Sequence, residues 1–119
     1  MHISLKRAYE PRTEDDGFRI LVDRMWPRGV SKDQAHVALW LKEIAPSTAL
    51  RKWFNHEVDK WPEFQKRYTQ ELDNAQDAVR VFLDAVRGKD KVTLIYGAKD
   101  EKHNQAVVLR DYLAARYGD

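Results

Sequence analysis

Two short runs constrain this chain more than anything else in it: Ile20-Leu21-Val22 and Val92-Thr93-Leu94-Ile95-Tyr96. The first is apolar without alternation, as expected for the middle of a strand covered on both faces, spanning residues 18–23. The second lies between Gly88 and Gly97 and is the clearest strand in the chain. Between the two runs, Trp61, Phe64, Tyr68 and Leu72 recur at helical spacing, and the stripe continues through Ala75, Val79, Phe82 and Val86. Strands alternating with helices predict an α/β layer fold with a mainly parallel sheet.

Four strands are expected. Ile3 and Leu5 alternate with Ser4 and Lys6, a short period-two strand. Val37, Leu39 and Leu41 alternate with Ala38 and Trp40, a third candidate that a helical turn would fit equally well. Residues 9–17 carry Pro11, Gly17 and acidic side chains, so they read as a solvated loop. That loop is too short for a helical crossover, so the first two strands are antiparallel or not neighbours. Ser47 after Pro46 caps a short helix running to Phe54. A helix begins near Asp59 and breaks at Asp73-Asn74, where a second restarts. Asp100 is placed to cap the last helix, whose stripe is Ala106, Leu109, Leu113 and Tyr117. The expectation is one domain over residues 1–119, a four-stranded sheet flanked by helices.

Composition narrows the functional classes. Hydrophobic residues at 43% are enough for a packed core, so disorder is set aside. The balance of 21 basic against 19 acidic residues leaves only +2, too little to attract nucleic acid through the global field. Any basic site must be local. There is no cysteine, which removes disulfides, thiolate metal sites and thiol nucleophiles together. No apolar run approaches a membrane span of roughly 18 residues, and no charged-then-apolar leader opens the chain, so a cytoplasmic protein with no membrane partner is expected. His2, His36, His56 and His103 show no paired ligand spacing, and neither a metal nor another cofactor is expected. No serine sits in a nucleophile-elbow pattern.

Three clusters could carry chemistry. In Asp23-Arg24-Met25-Trp26-Pro27-Arg28-Gly29-Val30-Ser31-Lys32 an acid, two arginines, an indole and a lysine leave the second strand together. Strand ends are where α/β sheets bind ligands, and grouped arginines suit phosphate or carboxylate. Ser31 opening a short helix would add backbone N–H groups to the cradle. The pattern is not a P-loop. The plainer alternative is that the arginines fasten loops through internal ion pairs. After the last strand, Lys99, His103 and Asn104 would meet the same ligand if the two strands are parallel neighbours, and His103 has the side-chain type for proton transfer near neutrality. In Arg51-Lys52-Trp53-Phe54-Asn55-His56, basic residues beside aromatics could stack on bases and meet phosphates, or simply cover the core.

With these residues in view, the run from Leu21 to Lys32 resembles the signature of the YeaO-like family. So do Trp40-Leu41-Lys42-Glu43-Ile44-Ala45-Pro46-Ser47 with Leu50-Arg51-Lys52-Trp53-Phe54, and the closing run 94–109. The resemblance covers nearly the whole chain and implies a small bacterial or archaeal α/β domain of unknown function. It implies no activity. Relatives in the wider group carry Asp-x-Arg after the second strand and Cys-His-Arg after the last. Asp23-Arg24 and His103-Asn104 are the nearest echoes here, and the cysteine is missing.

The expected function is binding of an anionic, phosphate-bearing small molecule in a basic pocket at the strand ends, with an enzyme acting on that ligand slightly favoured over a pure binder because acid, base and aromatic groups meet there. Arg24, Arg28, Lys32 and Lys99 would supply charge, Trp26 or Trp53 a stacking wall, and Asn104 a polar contact. Asp23 and His103 would handle protons if chemistry occurs. The alternative is a non-catalytic nucleic-acid or protein-binding module using a face around Arg51, Lys52, Lys60, Lys66 and Arg67.

Overall fold

The computed structural model describes residues 2–118. Four parallel strands form one sheet: β1 (His2–Arg7), β2 (Phe18–Leu21), β3 (Leu39–Trp40) and β4 (Lys91–Tyr96), in the order β1-β4-β2-β3. Of the two arrangements left open for the first two strands, they are not neighbours. β4 lies between them, pairing Ile3 with Val92 on one side and Ile20 with Leu94 on the other. That central position explains why residues 92–96 are all buried. The third strand exists but is only two residues long, shorter than the alternation 37–41 predicts.

Alternation then divides the sheet into two faces. Ile20, Val22, Val92, Leu94 and Tyr96 point into the main core, with Ile3 and Leu5 packed at its margin. That core is closed by four helices: α2 (Thr48–Phe54), α3 (Trp61–Asn74), α4 (Gln76–Val86) and α5 (Gln105–Tyr117). The opposite face has a smaller cluster, Ala8, Leu21 and Ile95, covered by Trp26, Val30, Val37 and Trp40 around the four-residue helix α1 (Lys32–Ala35).

This second face holds a buried ionic group inside the segment expected to be a solvated loop. Asp16 ends a 3-10 turn (Glu14–Asp16), and its carboxylate accepts from Lys6 Nζ at 3.0 Å and from Arg19 at 2.6 Å. Arg19 is fully buried and also donates to the Ala35 carbonyl at 2.7 and 3.1 Å, tying α1 to β2. Burial alone would raise the Asp16 carboxyl, but bonds from Thr13, Lys6 and Arg19 outweigh it and hold it down at about 2. Gly17 is required next door. Its φ is +65°, and a Cβ there would stand 2.4 Å from the Lys91 carbonyl oxygen.

The helices follow the sequence closely. Ser47 caps α2 by accepting from Leu50 N at 3.1 Å, and the long stripe divides at Ala75, beside the expected break. Phe64, Tyr68, Leu72, Val79, Phe82 and Val86 are buried as that stripe requires. Two expectations need correction. The cap of α5 is Asn104, whose Oδ1 accepts from Val107 N at 3.2 Å, while Asp100 closes the preceding turn by accepting from the N–H groups of Lys102 and His103. Tyr117 lies in the last turn of α5, beyond the sheet, and is exposed rather than part of its core stripe.

Candidate functional site

Because every strand pair is parallel, the loops leaving β1, β2 and β4 collect along one edge of the sheet. There they surround a cleft of about 310 Å³. Its floor and walls come from the loop after β2 (Asp23, Arg24, Pro27, Arg28), the end of α2 (Arg51, Phe54, His56) and the turn leading into α5 (Gly97, His103, Gln105). Trp26, Pro46 and Phe64 supply further apolar wall. Met25 and Tyr9 also line it and are among the most exposed large apolar side chains in the protein.

Asp23 anchors the arrangement. β2 and β4 are neighbours, so the residue after one strand reaches the residue after the other: Gly97 N–H donates to Asp23 Oδ2 at 2.8 Å. Gly97 leaves room for this contact, since a Cβ there would lie 3.0 Å from the same oxygen. Gln105, the first residue of α5, donates its amide to the other carboxylate oxygen, Oδ1. Both donors are neutral, and among the described residues no cation pairs directly with Asp23. Burial pushes its carboxyl up to about 6, against the pull of the Gly97 and Gln105 donors and the nearby Arg51 charge.

The arginines divide by role. Arg24 spends its guanidinium on backbone, Nε to the Pro46 carbonyl and an Nη to the Ala45 carbonyl, both at 3.0 Å. It fastens the loop 41–46 over the end of β2, as the plainer alternative foresaw for these arginines, though through carbonyls rather than carboxylates. Arg28 and Arg51 are different. Both are exposed, both line the cleft, and among the described residues neither guanidinium has a hydrogen-bond or ion-pair partner. The loop that carries Arg28 is held in place by others: Tyr9 Oη donates to the Arg28 carbonyl at 2.9 Å, and Trp26 Nε1 donates to Val30 O.

His103 enters from the turn after β4. Its Nδ1 lies 2.9 Å from Asp100 Oδ2, and the Lys102 and His103 bonds hold the Asp100 carboxyl below the usual range. An ionised carboxylate only accepts, so Nδ1 carries the proton and Nε2 is the nitrogen left for a ligand. Trp61 packs against the ring in a T-shaped contact, with centroids 5.3 Å apart. His56 comes from the end of α2 through two successive left-handed residues, Asn55 at φ 48° and His56 at φ 57°. Such a conformation is costly for a histidine and turns the chain back toward the cleft.

The structure therefore brings together Asp23, Arg24, Trp26, Arg28, His103 and Asn104 from two distant stretches. It does not bring Lys32, Trp53 or Lys99 to them. Lys32 opens α1 and is exposed, and Ser31 caps that helix without lining the cleft. Lys99 projects from the turn, exposed. The Trp53 ring packs at the margin of the main core, with Lys60 at 5.0 Å and Arg67 at 4.2 Å over it, and does not line the cleft. Asn104 reaches the cleft, but its amide is engaged at both ends, donating to Asp100 O at 2.9 Å and capping α5. Gln105 was missed altogether, and a glutamine at the start of a helix carries no sequence signal. Arg51 and His56 stood in the third cluster, but nothing in their spacing ties them to Asp23. Among the described residues no cluster of three or more potential metal ligands occurs.

These features define a small parallel α/β protein with a cationic cleft at its strand ends and one half-buried carboxylate in that cleft. The chain belongs to the family described as the inactive DUF488-N3 subclade, whose profile matches residues 2–119. It is similar to uncharacterized protein YeaO of Escherichia coli (strain K12), 43% identical over 95% of this chain and 97% of that one. It is also similar to uncharacterized protein Rv3073c of Mycobacterium tuberculosis (strain ATCC 25618 / H37Rv), 37% identical over 96% and 95% of the two chains. The YeaO-like membership inferred from the motifs therefore holds along the whole chain. No solved structure matches it. No helix among the described residues is long and apolar enough to cross a membrane.

Proposed function

We propose that this is a cytoplasmic, non-catalytic protein that binds a phosphate-bearing small molecule in the cleft. One observation carries the reading: Arg28 and Arg51 line one concave site and have no internal partner among the described residues. A guanidinium without a partner is a forked donor set for a tetrahedral anion. Arg24 adds charge from a fixed position, and His103 offers Nε2 from a ring oriented by Asp100. The family's description as an inactive subclade supports binding over catalysis, and with no cysteine the chain has no thiol nucleophile for its acid and imidazole to activate. A nucleic-acid face around α2 and α3 is less well supported. There Lys60 pairs with Glu57 and Arg67 with Glu63, so its charge is already partly answered.

The test is a chemical-shift titration with inorganic phosphate of the native protein, Arg28→Ala and Arg51→Ala. Each variant is expected to bind about tenfold or more weakly, the order of one charge-assisted hydrogen bond. Without ligand, both should melt within a degree or two of the native protein, because neither side chain holds the fold together. Equal affinity in all three proteins would defeat the proposal.

A further inference from the structure

Asp23 is an unusual neighbour for an anion. It lies in the same cleft as Arg24, Arg28 and Arg51, yet its carboxylate accepts only from the neutral Gly97 N–H and Gln105 amide. An ion pair with one of those arginines would have cancelled both charges. Instead the cations and the carboxylate remain separate, and both are presented to whatever enters. A carboxylate has about four acceptor positions, two of which are filled here, so each oxygen can accept one more donor.

A carboxylate beside bound anionic oxygens repels them unless the ligand places a hydrogen between the two. It then accepts that hydrogen, and the same charge that rejects one anion becomes a contact for another. We propose that Asp23 makes the cleft selective for anions that carry their own hydrogen-bond donor beside the charged oxygens. The P–OH of inorganic phosphate qualifies, as does the hydroxyl next to the phosphate of a sugar phosphate. A fully deprotonated tetrahedral anion such as sulfate does not. This rests on the anion cleft proposed above and adds to it the class of anion admitted.

Sulfate and hydrogen phosphate share shape and, above neutrality, charge. They differ in one hydrogen, so they isolate the Asp23 contribution. Chemical-shift titrations of the native protein at about pH 8.5, where Asp23 is ionised and inorganic phosphate is the dianion, should show sulfate binding at least about tenfold more weakly than inorganic phosphate. In Asp23→Asn, the two anions should bind within about twofold of each other, because an amide can donate to either. Equal affinities in the native protein overturn the selectivity and leave the anion cleft standing. Selectivity that persists in Asp23→Asn overturns Asp23 as its source. If the native protein binds neither anion, the cleft reading fails and this inference falls with it. Should Asp23→Asn not fold, the native ratio alone decides.

Discussion

At the scale of single residues, the cleft is marked by side chains kept in states the fold itself does not favour. Asp23 is the clearest. Its folded carboxyl titrates at about 6, above the usual value of 3.8, so folding favours its protonated form. That contribution is complete below about pH 4 and is lost as the pH rises through about 6, a difference of about 2–3 kcal/mol. Asparagine cannot ionise, and Gln105 can turn its amide to present oxygen to the new Nδ2. Asp23→Asn should therefore gain in melting temperature over the native protein more at pH 8 than at pH 5. Thermal unfolding at the two pH values measures this, and an equal difference at both would show that no buried charge is being relieved. His56, held at φ 57°, is a second residue kept in an unfavourable state beside the same cleft.

At the scale of elements, the site depends on how α5 starts. Asn104 both caps the helix and bonds back to Asp100, whose carboxylate orients His103. The cap, the turn and the imidazole therefore form one unit, and the next residue, Gln105, reaches Asp23. Replacing Asn104 with alanine should cost about 1 kcal/mol from the lost cap. It should also shift the His103 ring resonances in an NMR spectrum, since the turn loses its bond to the helix. A loss of stability with unchanged His103 resonances would mean that the cap and the imidazole are independent. Ser47 makes a similar joint on the other side of the cleft, capping α2 while its hydroxyl meets Glu71 of α3 at 2.5 Å.

At the scale of the whole molecule, two carboxyl groups with opposite shifts set the pH response. Asp16, held at about 2 beneath the second face of the sheet, contributes stability above about pH 4 and loses it as the pH falls through about 2. Its share is about 2 kcal/mol. Asp23 acts on the other limb. Melting temperature plotted against pH is expected to peak near about pH 4 and to fall from there to about pH 6, with Asp16→Asn flattening the acid limb alone. A maximum above pH 7 would contradict the assignment. The division of labour follows from the sheet: the thin face is braced by Lys6, Asp16 and Arg19, and the thick face by the apolar helices.

Much of this could be seen in the order of residues alone. Continuous apolar runs at 20–22 and 92–96 identify two-sided strands, helical stripes identify α3 and α4, and Ser47 marks the start of α2, because hydrophobic periodicity and capping are local properties. The loop after β2 also stood out, since acid, arginine and indole side chains crowd one strand end. What the order of residues could not convey is which distant groups meet. That β4 passes between β1 and β2, that Gln105 and Gly97 converge on Asp23, and that Arg51 joins Arg28 while Lys32, Lys99 and Trp53 stay away all depend on strand order and helix packing. Asp16 and Arg19 likewise look solvated or ordinary in sequence. Only a folded sheet removes them from water and so requires that they pair. Local pattern specifies the elements; the separation of charges across the cleft is decided only when those elements dock.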